Sequence, residues 1–392
     1  MPKQFTNQFR IDILKKIGFL LIVHCLLFTE SIEAQNQQTT ILITNPSSAD
    51  RKEEVVAISW KDIIAKYPRL DTANFKIINR ITKKELPFQL EYRGEKSVQN
   101  LLVQLDLAAN TTAKLLIETG KPSASITKTY GRYVPERKDD FAWENDKIAF
   151  RAYGKALELS PKEMAYGFDV WVKSTSRMVI NERYKRGKYH DNLGDGMDYY
   201  HVGYTLGAGN IAPCLNDSIY YSKNYVRWKI LDNGPLRTTF SLEYDEWDVA
   251  GMKVKATKTI SLDAGSQLNR VEALYRYFDK PTMDVVVGIV KRKESGTMLL
   301  DEQQGIMGYW EPQMGEDGIT GVGAILSTSI TKMKVTNTQL LTQSTSQGNK
   351  PYVYYTGAAW NKANVITTAK EWFSYLSAFK DRLEKPLQVT IE

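Results

Sequence analysis

Apolar and polar residues alternate with a period of two along much of the chain, which is the pattern of half-buried β-strands. The clearest runs are residues 86–92, 101–107, 236–244 and 252–262. Turn-forming pairs such as Asn233 and Gly234 separate successive runs, as they do in hairpins. This alternation predicts an all-β, antiparallel protein with roughly ten to fifteen strands.

A helical period is found near the end of the chain. Four large apolar residues recur there at helical spacing, namely Trp372, Leu376, Phe379 and Leu383. They predict one amphipathic helix over residues 368–384. Because proline cannot continue a helix, Pro386 ends it, and renewed alternation at residues 387–391 predicts a last strand.

So many strands exceed what a single immunoglobulin-like module holds, and they favour a large antiparallel two-sheet β-sandwich with a C-terminal helix. Residues 35–392 are predicted to form one such domain. Within it, residues 35–125 either form a small N-terminal β-subdomain or contribute strands to the larger sandwich. The polar stretch at residues 121–128 would close the subdomain in the first case.

Residues 1–34 are predicted to be a secretory signal peptide. Basic residues precede an apolar core at residues 17–28, and Ala34 supplies a small residue for cleavage. The core is shorter than the roughly 20 residues that a membrane-spanning helix needs, so a retained anchor is the weaker alternative. We therefore expect export across the inner membrane to the periplasm, with the cell surface as the alternative, and no membrane span after cleavage.

Composition narrows the classes of function. The chain has two cysteines, Cys25 and Cys214, and cleavage after residue 34 would leave only the second, so no internal disulfide is expected. The formal net charge of +7 is spread without basic blocks, which weakly favours acidic substrates and does not suggest nucleic acid. The 22 tyrosines and 8 tryptophans suit a carbohydrate cleft as well as an ordinary large sandwich.

Residues 181–209 form the stretch that is richest in reactive side chains. Its candidates are His190, His201, Tyr199, Tyr200 and Asp198. Six glycines interrupt the stretch, so we expect a long loop and no helix. Imidazole and phenol groups suit proton transfer. Alternatively, the two histidines and the aspartate would bind a divalent metal.

Candidate substrate-binding residues lie elsewhere in the chain. Arg132, Arg137 and Arg151 suit a bidentate grip on a carboxylate or sulfate, and Arg137 and Arg151 are the preferred pair, although salt bridges within their own loop are an equal alternative. Trp310 and Glu311 would form a sugar-binding wall or would simply pack. Lys258 falls on the apolar face of its strand, which predicts a polar sheet floor for an anionic sugar or an exposed sheet face.

Two long stretches resemble the DUF4861 family of Bacteroidetes polysaccharide-utilisation systems. They are residues 131–154, GRYVPERKDDFAWENDKIAFRAYG, and residues 189–213, YHDNLGDGMDYYHVGYTLGAGNIAP. The resemblance implies a galactose-mutarotase-like β-sandwich. It also implies a dehydratase that removes water from the non-reducing-end glucuronate or iduronate of ulvan-type oligosaccharides, leaving a 4,5-unsaturated uronate. It carries no established catalytic residues.

Such an elimination requires a base for the C5 proton, an acid for the leaving hydroxyl and a cation against the carboxylate. The candidates are His190 or His201 as base, Tyr199 or Tyr200 as acid, and Arg137 or Arg151 as cation. No cofactor is expected, and a divalent metal is the alternative. Alternative functions for the same fold are those of a polysaccharide lyase, a glycoside hydrolase or a non-catalytic glycan-binding protein.

Overall fold

The computed structural model describes residues 39–278 and 280–392, where 26 strands and three α-helices build an all-β fold. The predicted signal peptide lies outside these residues. The predicted fold class is confirmed, since neighbouring strands in every sheet run antiparallel. The predicted strand number is wrong, because much of the chain between the recognised runs also forms strands.

The strands follow one another in three groups. The first comprises β1 (Thr39–Thr44), β2 (Arg51–Ser59), β3 (Phe75–Asn79), β4 (Glu85–Leu86), β5 (Phe88–Glu91), β6 (Asn100–Leu107) and β7 (Thr112–Thr119). The second comprises β8 (Thr129–Val134), β9 (Asp140–Asn145), β10 (Ala149–Ala152), β11 (Asp169–Lys173) and β12 (Gly196–Met197). The third comprises β13 (Ala208–Leu215), β14 (Ser218–Ile219), β15 (Arg227–Asn233), β16 (Arg237–Val249), β17 (Met252–Asp263), β18 (Leu268–Arg276), β19 (Thr282–Val290), β20 (Thr297–Asp301), β21 (Ile306–Trp310), β22 (Thr320–Leu326), β23 (Ile330–Val335), β24 (Gln339–Gln347), β25 (Pro351–Trp360) and β26 (Gln388–Ile391).

The helices are few and short, apart from the last. The α-helices are Trp60–Lys66, Ile180–Arg186 and Ala369–Glu384, and short 3-10 helices occupy Pro135–Arg137, Lys155–Leu159 and Asn361–Ala363. No helix in the part of the chain that the structure describes is long and apolar enough to cross a membrane.

The first group of strands encloses a hydrophobic cluster of its own. Its two sheets have the orders β26-β1-β7-β3-β4 and β2-β6-β5. Ile41, Phe75 and Leu115 are fully buried in this cluster. The predicted last strand is confirmed as β26, and it pairs with β1, so the end of the chain closes a sheet that the first strands begin.

The larger part of the molecule is a sandwich with an eight-stranded sheet on one side, in the order β15-β16-β17-β18-β25-β22-β21-β20. Two five-stranded sheets face it, β12-β11-β10-β9-β8 and β14-β13-β19-β24-β23. The largest hydrophobic cluster fills the space between the layers, with Trp143, Phe240 and Ile289 among its members. A bridge between Phe168 and Gly207 joins the two five-stranded sheets and makes a seam between them.

The C-terminal helix packs on the outer face of β21 and β22. The prediction of this helix is confirmed. Thr368 caps its N-terminus, because the threonine side chain accepts from the backbone amide of Glu371 while the Glu371 carboxylate accepts from the backbone amide of Thr368. The helix's own Trp372 and Leu376 are fully buried against the sheet. Trp310 lies in the same cluster, so the prediction that Trp310 forms a sugar-binding wall is wrong.

Lys258 lies inside the sandwich and is only 1% exposed. Its Nζ donates to Asn210 Oδ1 at 2.6 Å and to the carbonyl of Ile211 at 3.1 Å. Burial lowers the pKa of Lys258 to about 7. The predicted polar sheet floor is wrong, because Lys258 faces the core while the charged Arg270 and Glu272 pair with each other on the opposite face of the eight-stranded sheet.

Candidate functional site

A cleft of about 330 Å³ opens beside the seam between the two five-stranded sheets. Its lining includes both candidate histidines, both candidate arginines and residues of the loop that joins β12 to β13. The residues on which its chemistry depends are Arg137, Arg151, His190, Asp198, His201 and Tyr204. Side chains from two separate stretches of sequence, residues 131–154 and 189–213, therefore meet in one place.

The histidine-bearing stretch is only partly a loop. Its beginning forms the helix Ile180–Arg186, so the expectation that this segment contains no helix is wrong. The helix forms because Ile180 packs against Val134 and Ala142, and Gly187 ends it with a φ of 70°. Gly196 has a φ of 96°, and a Cβ there would lie 2.1 Å from the Val172 carbonyl, so this close approach of β12 to β11 requires glycine.

Arg151 lies on β10 and is surrounded by three buried carboxylates. Its register partner on β11 is Asp169, which accepts from Nε at 2.9 Å. Asp198 accepts from Nη2 at 2.9 Å, and Asp140 lies 3.5 Å from Nη1. The Arg151 guanidinium is thus committed to the protein, so the prediction that it grips a substrate carboxylate is wrong. Its role is to support the cleft wall.

One guanidinium cannot neutralise three carboxylates that are removed from water. Burial raises the pKa of Asp140 to about 6 and that of Asp169 to about 7, and Arg151 opposes both shifts. Burial also raises the pKa of Asp198. This group of four residues, the Arg151 cluster, therefore retains protons at pH values where ordinary aspartates have lost them.

His190 stands at the edge of the Arg151 cluster, and its side chain is 65% exposed. Its Nδ1 lies 2.8 Å from the backbone carbonyl of Asp198. Because a carbonyl oxygen can only accept, Nδ1 carries a proton, and in the neutral form of this ring the lone pair is on Nε2. The ring also packs against Tyr189, with centroids 4.5 Å apart. This arrangement fixes an imidazole with its basic nitrogen free.

His201 is exposed at the cleft, and its backbone is held by an arginine that follows β19. Arg292 Nη1 donates to the His201 carbonyl at 2.6 Å, and Arg292 Nε donates to Glu311 Oε1 at 2.6 Å. Glu311 is buried, and burial raises its pKa to about 7. The prediction that Glu311 binds sugar is therefore wrong. It holds Arg292, which in turn positions His201.

The two tyrosines predicted as acids have engaged hydroxyls. Tyr199 Oη lies 2.6 Å from Thr320 Oγ1, and Tyr199 does not line the cleft. Tyr200 lines the cleft, but its hydroxyl donates to the carbonyl of Gly207 at 3.2 Å. Burial raises the pKa of both phenols. The structure therefore does not support Tyr199 or Tyr200 as the acid.

Tyr204 is a cleft residue that the sequence interpretation missed. It is 60% exposed, it lines the cleft, and it lies three residues beyond His201. This short separation in sequence would have identified Tyr204 as a candidate, because an aromatic ring so close to a candidate histidine in a loop is expected to lie in the same site.

Arg137 is the arginine that is available to a ligand. Its Nε donates to the Tyr189 hydroxyl at 2.9 Å, and its Nη2 makes a longer contact of 3.4 Å with Glu163. Glu163 also accepts from Lys138 at 2.9 Å, so Arg137 shares that carboxylate. Its side chain keeps 29% of its surface exposed. The remaining N–H groups of Arg137 can donate to an anionic group in the cleft.

Two of the three proposed metal ligands, Asp198 and His190, already contact protein groups. Asp198 accepts from Arg151, and the Nδ1 of His190 faces a backbone carbonyl. Among the described residues, no group of three or more His, Cys, Asp or Glu side chains is arranged to hold a metal ion.

These features define an all-β sandwich protein with a histidine-bearing cleft beside the seam of its sheets. The chain belongs to the DUF4861 family, a domain of unknown function, whose model matches residues 43–389. It is similar to an uncharacterized protein of Formosa agariphila, with 30% identity over 402 residues. That similarity covers 96% of this chain and 99% of the relative.

Solved structures with a similar fold come from Enterococcus faecalis. They are an alpha-mannosidase and a protein in glycosyl hydrolase family 38, each with a TM-score of 0.52 and 9% sequence identity. Both similarities cover 91% of this chain, which spans 46% and 47% of the respective structures, about half their length. At this identity, the similarity concerns the fold alone.

Proposed function

We propose that this protein is a carbohydrate dehydratase, a carbon–oxygen lyase that eliminates water from a non-reducing-end glucuronate or iduronate. The observation that carries the proposal is the cleft itself, in which His190 presents a free basic nitrogen and Arg137 presents an available cation. The choice of ulvan-type oligosaccharides, which are acidic and sulfated, rests on the resemblance of residues 131–154 and 189–213 to polysaccharide-utilisation proteins.

In the proposed mechanism, Arg137 binds the uronate carboxylate and stabilises the negative charge that develops on it. His190 Nε2 removes the C5 proton, and the electron pair moves into the carboxylate. As the charge returns, a double bond forms between C4 and C5 and the C4–O bond breaks. His201 protonates the departing hydroxyl, which leaves as water.

The carboxyl groups of the cleft favour elimination over hydrolysis. Glycoside hydrolases generally use two carboxyl groups that flank the scissile bond, one as acid and the other as base or nucleophile. In the described lining, Asp198 is bound to Arg151, and Glu163 is shared by Arg137 and Lys138. Neither carboxylate is therefore available as the acid or the base of a hydrolase, whereas the imidazoles of His190 and His201 are available for proton transfer.

The direct test is incubation with defined uronate-ended oligosaccharides, followed by mass spectrometry and by the ultraviolet absorbance of unsaturated uronates. Dehydration gives a product that is lighter by one water and absorbs. Release of a shorter saccharide would instead indicate a polysaccharide lyase or a glycoside hydrolase. Binding without any change in mass would indicate a glycan-binding protein.

We also propose that the enzyme acts after export across the inner membrane, in the periplasm. The support is the predicted signal peptide, whose residues 1–34 precede the described residues. Fractionation of cells that produce the full chain tests this proposal, because a periplasmic protein is released by osmotic shock and lacks the signal segment by mass.

Arg137→Ala is expected to raise the KM for uronate-ended oligosaccharides about 10- to 100-fold, because a charge-assisted hydrogen bond is lost. Steady-state kinetics with an oligosaccharide that ends in uronate provide the measurement. Arg132→Ala is the matched control, because Arg132 comes from the same segment, pairs with Glu136 and does not line the cleft. Equal KM values for the two variants would contradict a role for Arg137 in carboxylate binding.

Removal of divalent metals is expected to leave activity unchanged, because Asp198, the carboxylate of the candidate ligand set, is already bound by Arg151. The measurement is the initial rate after dialysis against a chelator, compared with the rate after adding back magnesium, calcium, manganese or zinc. A loss of rate that one of these ions restores would contradict the metal-independent mechanism.

A further inference from the structure

The lining of the cleft combines two kinds of surface. Arg137 and His190 supply cationic and basic groups, which suit the carboxylate and the C5 proton. Met164 and Tyr204 supply an apolar and aromatic surface that the elimination chemistry does not use. Tyr166 connects these two residues, because its hydroxyl lies 3.9 Å from Met164 Sδ and 3.1 Å from the Tyr204 hydroxyl.

Tyr204 is both exposed and firmly supported. Its ring meets Tyr166 edge to face at 5.1 Å, and Tyr166 stacks on Tyr221 with centroids 5.4 Å apart. Asn210 Nδ2 donates to the Tyr166 carbonyl at 2.7 Å and fixes the backbone behind the rings. An aromatic ring that is held in this way loses little freedom when a ligand binds, so it is a preorganised contact surface.

We propose that Tyr204 forms a subsite for the sugar next to the reacting uronate. One face of a pyranose ring exposes mainly C–H groups, and it packs against an aromatic ring while the hydroxyls stay in water. This inference rests on the proposed function and adds a substrate class to it. The enzyme acts on the end of an oligosaccharide, and a uronate without a neighbouring sugar ring is a poor substrate.

The test compares Tyr204→Ala with the wild type on two substrates, a uronate-ended tetrasaccharide and the methyl glycoside of the same uronate. We expect the variant to raise the KM for the tetrasaccharide about 5- to 10-fold, as the loss of one aromatic contact does. The KM for the methyl glycoside stays unchanged, because that substrate has no second ring. A KM that is unchanged for the tetrasaccharide, or raised equally for both substrates, overturns the subsite.

Two further variants distinguish the contribution of the Tyr204 ring to KM from that of its hydroxyl and from the general effect of removing an exposed aromatic ring. Tyr204→Phe keeps the ring and is expected to retain the tetrasaccharide KM, whereas a rise equal to that of Tyr204→Ala would overturn stacking as the cause. Phe278→Ala removes another exposed aromatic ring, one that does not line the cleft, and it leaves the KM unchanged. If it raises the KM as much as Tyr204→Ala does, the subsite is overturned.

Binding to the saturated tetrasaccharide, measured by calorimetry, keeps this inference separate from the dehydratase proposal. If the wild type binds the tetrasaccharide but forms no unsaturated product, the dehydratase proposal fails. The subsite still stands in that case if Tyr204→Ala binds about 5- to 10-fold more weakly than the wild type. Equal affinities overturn it, whatever the turnover.

Discussion

His190→Asn is expected to lower kcat about 10²- to 10⁴-fold, which is the usual contribution of a positioned general base. Asparagine is chosen because its amide nitrogen can still donate to the Asp198 carbonyl, which Nδ1 faces at 2.8 Å in the wild type. It offers no basic group in place of Nε2. The measurement is the initial rate of unsaturated uronate formation under saturating substrate.

Substrate binding provides the control for this prediction. His190→Asn should bind the saturated oligosaccharide as the wild type does, because the loss lies in proton transfer and Arg137 is unchanged. His201→Asn gives the comparison, since it removes the proposed acid and keeps the base. A His190→Asn variant with wild-type kcat would contradict the mechanism, and the assignment of base and acid would reverse if only His201→Asn were inactive.

The fold was largely predictable because its signals are local. Alternation along residues 252–262 reflects one buried and one exposed face, and the structure has β17 there. The C-terminal helix was predictable for the same reason, since its apolar side chains and its cap lie within one segment. The helix Ile180–Arg186 was missed because its seven residues are stabilised by packing on Val134 and Ala142, which are distant in sequence.

The sequence predicted which two stretches form the candidate site, but it predicted the roles of individual residues less well. Both histidines and Arg137 lie in the cleft, as their shared chemistry suggested. Tyr199 and Lys258 were misjudged because the groups that satisfy them are remote, Thr320 for the phenol and Asn210 for the ammonium. A sequence shows which groups need partners, but long-range pairing decides where the partners are.

The supporting residues of the site lie on or follow strands of both five-stranded sheets, and Glu311 follows β21 of the eight-stranded sheet. Arg151 reaches Asp198, whose carbonyl fixes His190, and Arg292 reaches the His201 carbonyl from beyond β19. Each proposed proton-transfer residue is thus positioned, through its backbone or its neighbour, by an arginine that is paired with a buried carboxylate. We therefore expect the precision of the cleft to depend on ion pairs whose charged groups are already committed to each other.

Arg151→Met is expected to lower the free energy of unfolding by about 3–5 kcal/mol near neutral pH, because it leaves buried carboxylates without their cation. Methionine is chosen because it retains a long apolar side chain and leaves little cavity. Chemical denaturation provides the measurement. Arg227→Ala is the matched control, because Arg227 also pairs with two carboxylates, Glu243 and Asp245, but on the exposed surface, where the effect should be small.

The size of the Arg151→Met effect should depend on pH in a defined direction. Asp140 and Asp169 have pKa values raised to about 6 and about 7, so their protonated forms stabilise the folded state at low pH, and that contribution disappears as the pH rises through these values. Without Arg151, ionisation inside the protein becomes still less favourable, whereas the unfolded chain ionises as before. The loss of stability should therefore be larger at about pH 8 than at about pH 5. A loss that is equal at both values, or larger at the lower one, would show that Arg151 does not stabilise the fold by neutralising these carboxylates.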